Sequence, residues 1–357
     1  MREGYVGDKA CESCHSDKVQ SYHGTAHFLT SRPPDQSSIL GKFTPDGNVL
    51  KTSNPDLFFR MDEKGAEFFQ TAVEGTPPYT NSRTEEFGLV IGSGNKGQTY
   101  LYWKGDKLFQ LPVSYWINVG WVNSPGYRDG VANFERPIIP RCLECHGTYF
   151  EALPPPPNRY SMTGFVVGIT CEKCHGPGKS HVQHHSSKTA ADANSSILNP
   201  VHFSRDRQMD LCAWCHAGHG VAVQPWFSYK PGEQLDRYID LPSPDPNVPI
   251  DVHGSQVELL RKSRCFESST MTCITCHDVH RSQHDLAEFS RRCLTCHTVQ
   301  SCGMFSKRGQ EIAGNCIDCH MLLQETNLIV FEVNGKKVRP RVRNHWIRIN
   351  SPPPDQK

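Results

Sequence analysis

A short pattern, Cys-x-x-Cys-His, repeats seven times along this chain of 357 residues. The repeats take up fourteen of the 16 Cys residues, and in each repeat a His directly follows the second Cys. A zinc site would need two Cys pairs for each metal ion and gives no reason for a His after every pair. The pattern therefore favours a group that binds two thiols and one imidazole at each site. The seven repeats are Cys11–His15, Cys142–His146, Cys171–His175, Cys212–His216, Cys273–His277, Cys293–His297 and Cys316–His320.

This spacing matches the chemistry of a covalently attached haem. Two thiols separated by two residues add to the two vinyl groups of one haem as thioethers, and the following imidazole binds the iron. The sequence therefore predicts seven haem c groups. The predicted attachment residues are Cys11, Cys14, Cys142, Cys145, Cys171, Cys174, Cys212, Cys215, Cys273, Cys276, Cys293, Cys296, Cys316 and Cys319. The predicted iron ligands in the repeats are His15, His146, His175, His216, His277, His297 and His320.

The remaining histidines are candidates for the second axial ligand of each iron. Of the 18 His, eleven lie outside the repeats, so there are enough for every haem to be bis-histidine. A His only a few residues after its own repeat cannot pass around the porphyrin edge and must serve another haem. We predict the second ligands to come from His27, His181, His253, His280, His345, His202 and His219. Further candidates are His23 and His284, whereas His184 and His185 are typical of a solvated pair, and Met271, Met304 and Met321 are typical of packing rather than ligation.

The composition leaves little apolar material for a conventional core. Hydrophobic residues make up 37% of the chain, whereas Gly and Pro number 28 and 26. Side-chain burial alone offsets the conformational entropy of such a chain poorly. We therefore expect the porphyrins to pack against one another and fill the interior, with neighbouring irons within reach of electron hopping. The predicted fold is a multihaem cytochrome c, with short helices that begin at the repeats and loops around stacked haems.

The long segment between the first two repeats has a different pattern. Aromatic and β-branched runs are separated by Gly-Asn and Gly-Asp turns, which is typical of antiparallel hairpins. Residues 327–342 show the same pattern around Asn334-Gly335. We predict a small antiparallel β module, with strands at 67–73, 87–92, 99–103 and 108–113, and a C-terminal β-hairpin. The expected segments are 1–38 (first haem-binding segment), 39–135 (β-rich insertion), 136–325 (six-haem core) and 326–357 (hairpin and a loose tail).

Charge and hydropathy argue against two kinds of partner. The net charge of +1 gives no basis for nucleic-acid binding, and no apolar stretch is long enough to cross a membrane. Because haem is attached to c-type cytochromes outside the cytoplasm, we expect an exported protein, periplasmic or extracellular. Residues 1–4 lack the apolar region of a signal peptide, so we expect the numbering to start at a trimmed or mature N-terminus.

Two cysteines lie outside the repeats. In an oxidising compartment, Cys265 and Cys302 are most simply interpreted as a disulfide that brackets two of the repeats. Free thiols and a link to another protein are the alternatives.

Several stretches resemble the multihaem cytochromes of the cytochrome c-554 type. Tyr5–His27 is similar to the family's opening, Cys171–His181 to its Cys-x-x-Cys-His-Gly-Pro-Gly-x-x-His segment, and Thr272–His280 to its Cys-x-x-Cys-His-Asp-x-His segment. Asn344-His345-Trp346-Ile347 is similar to a closing stretch of larger relatives. The resemblance implies that His27 is an axial ligand, that His181 ligates another haem, and that the protein is a periplasmic or extracellular electron carrier with pairwise-stacked haems. The seven repeats exceed the four haems of the founding proteins, and the β module lies outside the resemblance.

The leading hypothesis is electron transfer between redox partner proteins along mostly bis-histidine haems. One alternative is an oxidoreductase that acts on a small nitrogen or sulfur compound at a five-coordinate haem, so the sequence leaves open whether the chain is an enzyme. A second alternative is an oligomer or filament subunit, docked through the C-terminal hairpin and His345, with haem contacts between neighbouring cytochromes.

Overall fold

The structure, a computed structural model, describes residues 2–187, 197–241, 243, 245, 247–333 and 335–350. Asn334, at the predicted hairpin turn, and the predicted loose tail beyond residue 350 lie outside these residues. The helices within them are α1 (Asp8–His23), α2 (Pro140–His146), α3 (Cys171–His175), α4 (Lys179–Ser186), α5 (Arg205–His216), α6 (Gln256–Arg261), α7 (Arg264–Glu267), α8 (Leu286–Cys293), α9 (Phe305–Arg308) and α10 (Ile317–His320). Single 3₁₀ turns occur at Phe28–Thr30, Pro200–His202, Leu235–Arg237, Cys273–Thr275, Val299–Ser301 and Gly309–Gly314.

The strands of the described residues are two to ten residues long and pair antiparallel. They are β1 (Ser31–Arg32), β2 (Val49–Lys51), β3 (Leu57–Lys64), β4 (Glu67–Thr76), β5 (Tyr79–Glu86), β6 (Leu89–Ile91), β7 (Gly97–Lys104), β8 (Lys107–Gln110), β9 (Val113–Trp116), β10 (Gly120–Asn123), β11 (Gly147–Ala152), β12 (Tyr160–Val167), β13 (Val221–Ala222), β14 (Ile239–Asp240), β15 (Leu323–Glu325), β16 (Phe331–Val333), β17 (Lys336–Val338) and β18 (Arg341–Arg343). The predicted combination of short helices with antiparallel sheets is confirmed.

Two sheets account for the region between the first and second repeats. One has the order β1-β6-β7-β9-β10, with β8 also paired to β7, and the other has the order β2-β3-β4-β5. The remaining strands form two-stranded ladders, β11–β12, β13–β14, β15–β18 and β16–β17. At the C-terminus, the expected second strand of the hairpin is divided between β17, which pairs with β16, and β18, which pairs with β15.

The chain divides into two compact units. The first comprises Met1–Leu198, Trp226–Ser228 and Ile329–Arg339, and the second comprises Asn199–Pro225, Tyr229–Leu328 and Pro340–Lys357. The first unit therefore contains both sheets and three of the Cys-x-x-Cys-His repeats, and the second contains four. The four segments expected from the sequence stay a prediction.

The main apolar core of the first unit lies between the two sheets. Strand β3 buries every second side chain, Leu57, Phe59 and Met61, because successive residues of a strand point to opposite faces. Tyr100 of β7 and Phe87 belong to the same cluster, with ring centroids 4.4 Å apart. Burial of these large side chains is the main stabilising contribution in this region.

A buried glutamine links the two sheets of this core. Gln70 of β4 donates from Nε2 to the carbonyl of Val113 on β9 at 3.2 Å, and its Oε1 accepts from the Val113 N–H at 2.9 Å. The amide therefore supplies both hydrogen bonds that this buried backbone unit needs. The contact fixes the register of one sheet on the other.

A second apolar cluster joins the β region to the second repeat. Leu143, between the two cysteines of that repeat, packs in one cluster with Leu101, Leu108 and Phe150. The ring of Phe150 is parallel to that of Phe165 at 5.3 Å. The cluster anchors the α2 helix, and with it the second attachment site, to a rigid sheet.

The second unit has fewer and shorter strands, and its buried apolar residues are mostly helical. Trp214 of α5 is buried and its ring lies 4.7 Å from that of Tyr229. Val257, Leu259 and Leu260 of α6 are also buried. Among the described residues of the whole chain, no helix combines the length and apolar character needed to cross a membrane.

Candidate metal centres

Most repeats end a helix. Helices α2, α3, α5 and α10 finish at the His of a repeat, and in α1 the backbone leaves the helical conformation at His15, with φ −122° and ψ 39°. One helical turn places the two cysteines on one side, and the helix end turns the imidazole away from the axis. We expected short helices to begin at the repeats. Helix α3 and the 3₁₀ turn Cys273–Thr275 do begin there, whereas the other helices start earlier or, for α10, inside the repeat. Every repeat thiol is half-buried or exposed, although cysteine is among the most buried residue types.

Several repeat histidines have a partner on Nδ1, which leaves Nε2 for a metal. A carbonyl oxygen only accepts, so an imidazole that contacts one through Nδ1 carries its proton there and its lone pair on Nε2. Metal-binding histidines commonly have such a partner, which orients the ring. The Nδ1 partners are the Leu198 carbonyl for His175 (2.8 Å), the Arg348 carbonyl for His320 (3.0 Å), Thr30 Oγ1 for His146 (2.9 Å) and Gln256 Oε1 for His216 (3.3 Å).

In the first unit, two histidines from distant parts of the chain face each other. The ring centroids of His15 and His181 are 6.4 Å apart and the ring planes are 18° from parallel. Two imidazoles on opposite sides of one metal ion, with metal–nitrogen distances of about 2.0 Å each, have centroids about 6.3 Å apart. The Nδ1 atom of His181 is buried without a hydrogen-bond partner among the described residues. Burial, reinforced by the neighbouring His185, lowers the pKa of His181 and favours the neutral form that binds metals.

A second opposed pair occurs in the second unit. The centroids of His277 and His345 are 6.3 Å apart, with the planes 26° from parallel. His345 Nδ1 lies 3.1 Å from the Arg343 carbonyl oxygen and must donate to it. Burial lowers the pKa of His345 to about 4, with a smaller contribution from His277. Burial also lowers the pKa of His277. Both rings therefore favour the neutral form that binds metals, and they could hold a haem iron.

Thiols of different repeats also meet. Cys11 and Cys171 lie within hydrogen-bonding reach, which lowers the pKa of Cys11 and raises that of Cys171. In the second unit a hydrogen bond from Cys212 lowers the pKa of Cys273. Thioethers at these positions would bring the edges of two haems together in each unit.

Three further repeats approach one another around Cys293. Burial raises the pKa of the Cys293 thiol to about 11, and Cys316, Cys276 and Cys265 are close enough to raise it further. Cys265 and Cys302 are both free. The expected disulfide between them is therefore not formed in this structure, in which Cys265 lies near the thiols of two repeats instead.

Comparisons with known proteins agree with the chemistry of these sites. The family described as "Cytochrome c554 and c-prime" matches residues 129–176, which contain the repeats at Cys142 and Cys171. No curated protein sequence matches the chain significantly. Among solved structures, that of the outer cell wall cytochrome OcwA matches with a TM-score of 0.58 and 17% identity, over 97% of this chain and 80% of that one.

The chain is a multihaem c-type cytochrome. Proteins of this class carry covalently attached haem c and transfer electrons, so this cytochrome takes part in electron transfer.

For the other predicted axial histidines of the cytochrome, the structure gives positions and neighbouring groups. His253 lies near His216 and His219. Burial is the largest cause that lowers the pKa of His253, and the two neighbouring rings lower it further. The backbone N–H of His280 donates to Asp278. His27 precedes the first 3₁₀ turn, and His202 ends the next. Two candidates ranked below these have side-chain partners, His23 with Asp8 at 3.3 Å and His284 with Ser282 at 2.8 Å.

Charged residues inside the repeats of the cytochrome escaped the sequence analysis. Glu144 and Lys173, between the cysteines of the second and third repeats, form an ion pair at 3.7 Å with side chains only 1% and 3% exposed. Glu144 also accepts the N–H of Phe227 at 2.6 Å. The buried Glu172 accepts the N–H groups of Gly7 and Gly178 at 3.0 and 2.8 Å. These residues could have been noticed in the sequence, because a charged residue stands between the two cysteines, where haem attachment does not fix the residue type.

Proposed function

We propose that this cytochrome holds seven haem c groups, one at each Cys-x-x-Cys-His repeat, and passes electrons among them between redox partner proteins. Bound haem supplies an iron that gains or loses one electron. The chain supplies two thiols and an imidazole for each haem, and holds the imidazoles in orientation through the Nδ1 contacts of His146, His175, His216 and His320.

The observation that carries the proposal is the pair of opposed histidines in each unit. We propose that His15 and His181 bind the two faces of one haem iron, and that His277 and His345 bind those of another. Their centroid distances, 6.4 and 6.3 Å, match that arrangement. An iron with two imidazole ligands has no open position for a substrate, which suits electron transfer better than substrate chemistry.

Close packing of the haems is supported within each unit by contacts between attachment residues. Cys11 lies against Cys171 in the first unit, and Cys212 against Cys273 in the second. Porphyrins attached at adjacent thiols would lie edge to edge and exclude water from each other. This arrangement would also supply the apolar interior that the sequence lacks.

We propose a periplasmic or extracellular location. The supporting observations are the similarity to an outer cell wall cytochrome and the haem-attachment repeats, which are completed outside the cytoplasm. The partners would then be other redox proteins at or beyond the cell surface.

Two alternatives have less support. The filament alternative uses the C-terminal hairpin and His345 for docking. However, His345 faces His277, and in the first unit the hairpin packs on its own chain, with the Phe331 ring 4.7 Å from that of Trp116. Asn123 Nδ2 of β10 also donates to the carbonyl of Glu332 at 2.8 Å. The oxidoreductase alternative needs a haem with an open axial position, and the two opposed pairs would close that position at two of the seven proposed haems.

Production in a host that attaches haem c, followed by intact-mass and low-temperature EPR measurements, tests the proposal. We expect a mass increase equal to seven haems and EPR spectra dominated by low-spin ferric iron. Fewer attached haems would refute the count, and dominant high-spin iron would refute the bis-histidine assignment. Changing both cysteines of one repeat to Ser is the matched control and should remove one haem.

A further inference from the structure

The sixth repeat opens to solvent beside two arginines that form no salt bridge within the residues that the structure describes. Arg291 and Arg292 are exposed at the end of α8, directly before Cys293. The opposite side of α8 is fixed, because the buried Ser290 donates to the Leu286 carbonyl at 2.8 Å and accepts the Cys316 N–H at 2.9 Å. Helix rotation therefore cannot turn the two arginines inward.

These arginines line a surface cavity of about 450 Å³, together with Arg281, Glu288 and Thr295. Glu288 is the acidic residue of the cavity, and it already accepts hydrogen bonds from Arg281 and from Gln283. Across the part of the chain that the structure describes, neither Arg291 nor Arg292 makes an ion pair or side-chain hydrogen bond. Arg291 lies close enough to Glu288 to attract its carboxylate without a hydrogen bond. The cavity therefore carries one guanidinium group, that of Arg292, and part of the charge of a second that remain available for an anion.

The neighbouring attachment site is also exposed. Cys296 and His297 of the sixth repeat are exposed, and among the described residues His297 is the one repeat histidine whose side chain contacts no partner. Arg292 also lies close to Cys276 of the fifth repeat. An anion in the cavity would thus lie beside attachment residues of two repeats.

We propose that this arginine cavity binds a small polyanionic electron acceptor, of the class of carboxylate chelates of ferric iron, and that electrons leave the protein at the sixth repeat. The proposal rests on the proposed function, since it needs haem in that repeat. A guanidinium binds carboxylates through two parallel hydrogen bonds, and adjacent positive charges raise the local concentration of an anion. In the transfer step one electron leaves the reduced protein and reduces ferric to ferrous iron, and no covalent bond or proton is exchanged.

Stopped-flow oxidation of the fully reduced holoprotein tests the proposal. The acceptors are ferric citrate, which is polyanionic, and hexaammineruthenium(III), which is cationic; gallium citrate serves as a redox-inert competitor. We compare the native protein with R291Q/R292Q and with K336Q/K337Q, which removes two adjacent exposed positive charges from the hairpin of the other unit. We expect oxidation by ferric citrate to slow about tenfold in R291Q/R292Q alone, and gallium citrate to slow only proteins that retain both arginines.

Other outcomes overturn the proposal. Equal slowing by both double variants would mean that net charge, not the cavity, attracts the acceptor. A changed midpoint potential in R291Q/R292Q with an unchanged ferric citrate rate would mean that the arginines pair with haem propionates. If the reduced native protein does not transfer electrons even to hexaammineruthenium(III), or carries no haem, the proposed function itself fails.

Discussion

The ring centroids of His277 and His345 lie 6.3 Å apart, although 67 residues lie between them in the chain. A centroid distance of this size is the one expected for two imidazoles on opposite sides of one metal ion, and the Arg343 carbonyl oxygen holds the orientation of the His345 ring. The C-terminal segment would thereby complete the haem site that we propose at the fifth repeat.

Replacing His345 should change the coordination of a single haem. We expect H345A to convert one haem from low-spin to high-spin iron, because that iron loses one of two imidazoles. EPR of the ferric protein measures the change. H185A is the matched control, since His185 is exposed and its substitution should leave the low-spin signals intact. An unchanged H345A spectrum would show that this ring is no ligand.

Acid should destabilise the second unit through His345. Burial lowers the folded-state pKa of His345 from 6.5 to about 4, and iron bound to the ring would keep it unprotonated to still lower pH. Below pH 6.5 the unfolded chain therefore binds a proton that the folded chain does not. The free energy of unfolding should therefore fall as pH decreases from 6.5 to 4, by up to about 3 kcal/mol from this group. Urea unfolding at several pH values measures the slope, and H345N, which cannot titrate, should flatten it. An equal slope in both proteins would assign the effect to other groups.

The hydrogen bonds by which Gln70 links the two sheets should contribute to the free energy of unfolding. We expect Q70A to lower the free energy of unfolding by about 2–3 kcal/mol, because it leaves the buried N–H and C=O of Val113 without partners. Urea unfolding followed by far-ultraviolet circular dichroism measures the loss. Q36A removes an exposed hydrogen bond to Glu63 and should cost less than about 0.5 kcal/mol. Similar values for the two variants would contradict the role given to Gln70.

The free energy of unfolding should depend on both charges of the buried Glu144–Lys173 ion pair. We expect E144Q to destabilise the protein by about 3–5 kcal/mol, because the Lys173 ammonium stays buried without its counter-ion. Adding K173M should recover most of that loss, since the pair is then replaced by uncharged groups. Removal of the exposed Arg308–Glu311 pair is the control and should have little effect. If the double variant is as unstable as E144Q, the pair does not act as a unit.

The Cys-x-x-Cys-His repeats could be recognised from the sequence, but the residues that their histidines face could not. Cys-x-x-Cys-His fixes local chemistry within five residues, so each repeat was recognisable alone. His181 follows the third repeat, yet it faces His15 of the first, and this pairing depends on tertiary packing. The strand predicted at 67–73 is part of β4, whereas β5 was missed because Tyr79–Glu86 is polar and mostly exposed. An edge strand with one sheet neighbour does not need the apolar alternation on which the prediction relied.

An X-ray structure of the haem-loaded protein, with anomalous scattering measured at the iron edge, tests the central claim most directly. We predict seven iron peaks, with one between His15 and His181 and another between His277 and His345. Zinc at the repeats, or iron peaks that lie between neither pair, would contradict the account.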